Sequence, residues 1–297
     1  MKKYITIGTK NIAKDAFRQI LRPHYKGFHK PNGGLWSCEF ISKINCISQW
    51  HDYLLYEDRE TANYKNLNAG ALFTLKDNSK IITLDNTDKI IQTSIEYPSY
   101  HHMLLNDDYQ NKLQIIDYEA LSKDYDGVYV SINQLGFNDI SLTFLPWSVD
   151  TLLLFNLDCI LEYQSVDIYT SSHYYGMPPY ITNISSPKQV LPYNENYKYI
   201  YNYIKEIFDS IIKEINNPCN NYKEYYNKIL EAINKTTFIV EQIQSEKINN
   251  TLERLKENNI NINKKTLIDT IAYNYLSTYL KENKYKEERF IKTLRKQ

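Results

Sequence analysis

The chain has 297 residues, 42% of them hydrophobic and 24% charged, and its 35 Lys/Arg balance 35 Asp/Glu. This composition excludes a disordered chain and leaves room for one large or two unequal domains with a substantial core. No apolar run reaches the ~18 residues of a membrane span or follows the first lysines as a signal peptide would, so a cytoplasmic protein with no membrane role is expected.

In chain order, the first part is built of short apolar or alternating runs bounded by turn residues. They are YITIG (4–8), GLWSCEF (34–40), AGALFTL (69–75), KIITL (80–84), GVYVSI (127–132), ISLTFL (140–145) and TLLLFNL (151–157). Each run predicts a β-strand. Helices are expected around 12–21, 50–56 and 118–123, which makes this part α+β with a mostly antiparallel sheet. All eight glycines, three tryptophans and six histidines lie within residues 1–176. The stretch YYGMPPYITNISSPKQVLPYNEN (174–196) holds four prolines and reads as a linker or wrapping segment.

Beyond it, Ile200, Ile204, Ile207, Ile211 and Ile215 recur at helical spacing, and Asn216, Asn217 and Pro218 end that pattern. Tyr222, Tyr226, Ile229 and Ile233 mark a second helix, Ile248, Leu252 and Leu255 a third, and Leu267, Ile271 and Tyr275 a last long one. The expected organisation is an α+β domain over 1–175, a linker over 176–196 and an all-α helical bundle of three to five helices over 197–297. Residues 1–180 carry 16 Lys/Arg against 21 Asp/Glu, and residues 181–297 carry 19 against 14. The basic end KEERFIKTLRKQ suits either a nucleic-acid or acidic partner, or the solvated face of an amphipathic helix.

Cys38, Cys46, Cys159 and Cys219 lack CxxC spacing, and the adjacent His101 and His102 do not share a face, so neither a disulfide framework nor a metal site is indicated. Four stretches invite a ligand reading. In TIGT (6–9), Gly8 allows close approach to the backbone and Thr9 offers a hydroxyl, although a plain strand exit uses the same letters. In KPNGGLWS (30–37), a rigid loop presents Lys30, Asn32 and Ser37 and a ring at Trp36, whereas a type II turn before a core strand is the structural alternative. YDGVYVSI (125–132) is a turn and a buried strand. In PWSVDTLLLFNLDCI (146–160), Asp150 and Thr151 stand at a strand start, from which a carboxylate can face a cleft.

Taken in this order, TIGT, KPNGGLWS, SQWHDY, IIDYEALSKDYDGVYV and PWSVDTLLLFNLDCI resemble a poorly characterised family of bacterial and phage proteins. The layout over residues 4 to about 162 also looks like the ADP-ribosyltransferase superfamily, whose first strand often ends in His-Gly-Thr. The resemblance implies a bent, split sheet holding NAD in a cleft. Backbone groups beside the first-strand glycine would hold the nicotinamide amide, an aromatic ring would stack on it, and a late-strand carboxylate would stabilise the oxocarbenium-like centre. Carried over, Gly8 and Thr9 meet the nicotinamide end. Lys30, Gly33, Gly34, Trp36 and Ser37 form the cofactor loop, and Trp50 or Tyr53 closes over it. Thr6 stands where the family has histidine, and no ExE or QxE pair precedes the late strand. Asp150 is the nearest carboxylate, with Thr151 beside it.

The resemblance therefore implies an NAD-dependent ADP-ribosyltransferase-like protein, a toxin or antiphage effector modifying a nucleic acid or protein. Its helical domain would recognise the target or a regulatory partner. The alternative, suggested by the missing histidine and glutamate, is a non-catalytic NAD- or nucleotide-binding sensor using the same cleft.

Overall fold

The computed structural model describes residues 2–20, 31–56, 66–99, 116–135, 144, 147–170, 177–214, 222–243 and 245–282. Two compact units emerge: residues 1–12 with 20–191, and residues 13–19 with 192–297. Among the described residues the chain is α+β, with one eight-stranded mixed sheet and eight helices.

The first unit carries the sheet. Its strands are β1 (Lys3–Ile7), β2 (Leu35–Glu39), β3 (Ala69–Leu75), β4 (Ile81–Leu84), β5 (Gly127–Val130), β6 (Thr151–Leu154), β7 (Ile160–Tyr169) and β8 (Tyr180–Ile184). They run in the order β4-β5-β6-β2-β1-β3-β7-β8, and every pairing is antiparallel except β4 with β5. Helices α1 (Gln49–Tyr56), α2 (Thr87–Glu96), α3 (Tyr118–Leu121) and α4 (Ile132–Leu135) belong to the same unit.

The strand β2 serves two neighbours in succession. Leu35, Trp36 and Ser37 pair with Leu154, Leu153 and Leu152 of β6, while Cys38 and Glu39 pair with Ile5 and Tyr4 of β1. The β1–β2 ladder stops at Ile5, yet β1 continues against β3 as far as Ile7↔Gly70. The sheet therefore forks between β1 and β2. Each half has its own core: Ile5, Ile7, Ile47, Leu72, Val166 and Ile168 under one, and a cluster including Val128, Val130, Trp147 and Leu153 under the other.

Several elements differ from expectation. The helix expected over 12–21 is absent from its described residues 12–20: a 3-10 turn spans Lys14–Ala16, and Phe17 is extended (φ −85°, ψ 122°). Here the backbone bonds to side chains instead, because Asn274 accepts from the Gln19 N–H and donates to the Phe17 carbonyl. These polar partners outweigh helix propensity. The proline-rich stretch adds β8 to β7, then bridges Lys188 to Tyr163, so it extends the sheet. Helix α2, which no apolar periodicity announced, starts at Asn86, whose side chain accepts from the Lys89 N–H. The expected strand at 140–145 lies mostly outside the described residues.

The second unit is a helical bundle of α5 (Glu195–Glu214), α6 (Tyr222–Gln242), α7 (Glu246–Glu257) and α8 (Lys264–Glu282). Ile200, Ile204, Phe208 and Ile211 are buried along α5, and Leu267, Ile268, Ile271, Tyr275 and Leu276 along α8. Asp15, from the inserted 13–19 segment, is buried in this unit and receives the Asn194 N–H at 2.9 Å and Arg254 Nη1 at 3.1 Å. Burial raises its pKa, and the Asn194 N–H and the Arg254 charge only partly oppose that rise. No helix among the described residues is long and apolar enough to cross a membrane.

Candidate functional site at the fork of the sheet

Along an antiparallel strand, a residue's N–H and C=O point to the same side and alternate from one residue to the next. The Lys3 carbonyl accepts from Phe40 N–H beside β2, and the Gly8 N–H donates to the Ala69 carbonyl on the β3 side at 2.8 Å. Ile7, two residues past Ile5, therefore directs its peptide N–H and C=O into the fork.

Glycines stand on both lips. Gly8 has φ +102°, and no heavy atom of the described residues lies within 4 Å of a side chain built there. Gly33 and Gly34 have φ +93° and +74°, a region that residues with a Cβ rarely enter. A Cβ on Gly34 would lie 2.5 Å from Leu153 Cδ1 and 2.8 Å from the Leu154 carbonyl oxygen. Gly34 thus lets β2 come against β6, while Gly8 has no such neighbour among the described residues.

Aromatic rings pack into the core on each side. The Trp36 indole donates from Nε1 to the Gly33 carbonyl at 3.0 Å, and its ring lies 4.9 Å from that of Trp147. Trp50 packs against the Ile5–Ile7 core and stacks on Tyr53 at 5.6 Å. Both tryptophans are half-buried.

Other expected site residues have committed side chains. Ser37 is buried and donates to the Leu152 carbonyl at 2.9 Å. Thr9 Oγ1 donates to the Asn11 carbonyl at 2.8 Å, shaping the turn after β1. Thr6 is buried on β1, and Lys30 lies outside the described residues.

Asp150 and Thr151 lie level with the closed end of the fork, Thr151 beside Cys38 and Asp150 one residue further. Because β6 runs antiparallel to β2, Asp150 falls level with Glu39, four residues or about 14 Å along the strand from Leu35. Its carboxylate accepts from Ser131 Oγ at 3.2 Å and from the Asn133 N–H at 3.0 Å, where α4 begins. Thr151 is buried and donates to the Val149 carbonyl at 2.8 Å. Gly8 follows β1 on one side of the fork, Gly34 and Trp36 begin β2 on the other, and Asp150 lies level with the opposite end of β2.

Around Asp150 a different group forms. Lys2 Nζ lies 2.7 Å from Glu39 and 4.9 Å from the Tyr129 ring centre. Burial, followed by the Asp150 and Glu39 charges, raises the Tyr129 phenol pKa.

A further polar cluster was not anticipated from sequence. Asn11, three residues after Gly8, accepts at Oδ1 from Tyr163 OH, Ser165 Oγ and Lys188 Nζ, each at 3.2 Å. The alternating β7 sequence ILEYQSVDIY could have put Tyr163 and Ser165 on one face, but nothing local linked them to residues 11 and 188. Nearby, Lys10 pairs with Asp167 and lowers its pKa. No metal-holding group of His, Cys, Asp or Glu exists among the described residues. Compared with models of protein families, with curated proteins and with solved structures, the chain matches none.

Proposed function

We propose that the sheet unit is a nucleotide-binding module of ADP-ribosyltransferase type that holds NAD without cleaving it, a sensor rather than a transferase. The observation that carries this reading is the fork: two strands part at Ile5↔Cys38, with Gly8 on one lip and Gly33–Gly34 on the other. Ile7 would hold the carboxamide through its peptide donor and acceptor. Trp36 and Trp50 would flank a planar ring, and Gly8, with no heavy atom of the described residues within 4 Å of a side chain built there, would admit it.

Cleavage asks for more. A departing nicotinamide leaves positive charge on the ribose, which needs a carboxylate within a few ångströms. The aspartate expected in that role caps α4 at the far end of β2 instead. Binding without turnover is what remains.

The test is calorimetry with NAD beside an assay for released nicotinamide. The expected result is saturable binding, weakened by Gly8→Ala, with no release above the enzyme-free rate. Release would overturn the sensor reading, and absence of binding would overturn the module itself.

A further inference from the structure

Lys188 is an exposed lysine held in place at both ends. Its peptide exchanges hydrogen bonds with Tyr163, N–H to carbonyl at 2.7 Å and carbonyl from N–H at 2.9 Å. Its ammonium donates to Ser165 Oγ at 2.9 Å and to Asn11 Oδ1 at 3.2 Å. Asn11 is itself 93% buried, at 7% exposure, and tied to Tyr163. Both acceptors are neutral. Among the described residues no carboxylate lies within ion-pair distance of Lys188, whereas neighbouring Lys10 has Asp167.

A surface lysine usually roams, so fixing it on neutral oxygens orders a long side chain without neutralising its charge. The arrangement leaves a third N–H and a whole positive charge presented at a defined point, which is the pre-organisation an anion exploits. Ser165 pairs with Ala71 and Ala71 with Thr6, so the ammonium stands over β7, two strand spacings or about 10 Å from β1, on the sheet face opposite the Ile5–Ile7 core.

We infer that Lys188, held by Asn11 and Ser165, is an anion subsite that takes the phosphate groups of the ligand bound at the fork. The inference rests on the nucleotide-binding reading for its ligand, and its test separates the two. Calorimetry at low salt would use two probes: inorganic pyrophosphate, which requires only the subsite, and nicotinamide riboside, which requires only the fork. Lys188→Met should weaken pyrophosphate on the order of tenfold or more, the loss of one charge-assisted contact, and leave nicotinamide riboside unchanged. Asn11→Asp sets a carboxylate against the same ammonium, so it should weaken pyrophosphate similarly while keeping the lysine. Lys188→Arg should restore part of the affinity. Pyrophosphate that fails to bind, or binds equally to wild type and both weakening variants, overturns the subsite even if NAD binds. Pyrophosphate binding that responds to Lys188 supports it even if nicotinamide riboside does not bind and the fork reading falls.

Discussion

Replacing Gly34 by alanine tests the geometry of the fork most directly, because Gly8→Ala provides a matched control. Both positions have positive φ, +74° and +102°, so each alanine carries backbone strain of about 1–3 kcal/mol. They differ in surroundings. At Gly34 the new methyl would stand 2.5 Å from Leu153 Cδ1, 2.8 Å from the Leu154 oxygen and 2.9 Å from Ile20 Cδ1. The two side chains can yield a little, but the Leu154 carbonyl belongs to the β6 ladder and cannot. Overpacking of this kind adds about 1–3 kcal/mol. Among the described residues Gly8 meets nothing within 4 Å, so its alanine incurs backbone strain alone. At roughly 2–4 °C per kcal/mol for a unit of this size, Gly34→Ala should melt roughly 4–24 °C below wild type and Gly8→Ala about half as far below it. Tryptophan fluorescence suits the assay, since Trp36, Trp50 and Trp147 all belong to the sheet unit. Equal shifts for the two variants would refute the close approach of β2 and β6 at Gly34.

Three further outcomes follow from single side chains. Asp150→Ala should destabilise the sheet unit by about 1–2 kcal/mol by uncapping α4, and Asp150→Asn by less, with NAD affinity unchanged in both; a loss of affinity at unchanged melting temperature would place Asp150 in the site. The Cys46 thiol is pushed up from 9.0 to about 11 by burial and then by Asp52, so its alkylation at pH 8, followed by peptide mapping, should run on the order of 100-fold slower than at an ordinary thiol. Asp52→Asn should speed it, and an already fast wild-type reaction would contradict the burial. Asp15 has a folded pKa above its ordinary 3.8, so the folded bundle binds the proton more tightly than the unfolded chain does. Its contribution is fully present below about pH 4 and is lost as pH rises through the folded value. Urea unfolding of Asp15→Asn, followed by circular dichroism, should gain on wild type across that rise; a difference that moves the other way would refute the sign.

Sequence made the strands legible where alternation and turn residues coincide. AGALFTL became β3 over the same residues, and GLWSCEF became β2 to within a residue or two. It failed where partners come from far away. Nothing within 12–21 reveals that Asn274 will take the backbone bonds of Phe17 and Gln19, so an apparently helical stretch unwinds. At the site, glycines were readable because positive φ is a local demand, met at Gly8, Gly33 and Gly34 alike. Which end of a strand faces which end of its neighbour is a matter of register, and sequence spacing carries no trace of it. Asp150 therefore looked close to the glycine loop until the pairing of Ser37 with Leu152 fixed it level with Glu39.

That register also explains why the fork persists. Two side chains fasten β2 to β6: Ser37 Oγ donates to the Leu152 carbonyl and Cys38 Sγ to the Asp150 carbonyl at 3.0 Å. Two paired positions and the Phe40 N–H to Lys3 carbonyl bond hold β2 to β1. If β1 closed on the whole of β2, Ile7 would come opposite Trp36, whose indole is already tied to Gly33 and packed on Trp147. The cores on either side would then have to merge, and their separate packing on Trp50 and Trp147 opposes it. The same fastening keeps Asp150 away: its backbone carbonyl holds Cys38 and its carboxylate holds α4, so bringing it toward Gly8 would unpick both. An open fork and a carboxylate committed to α4 are thus two results of one strand pairing, and the proposed reading of binding without cleavage rests on both.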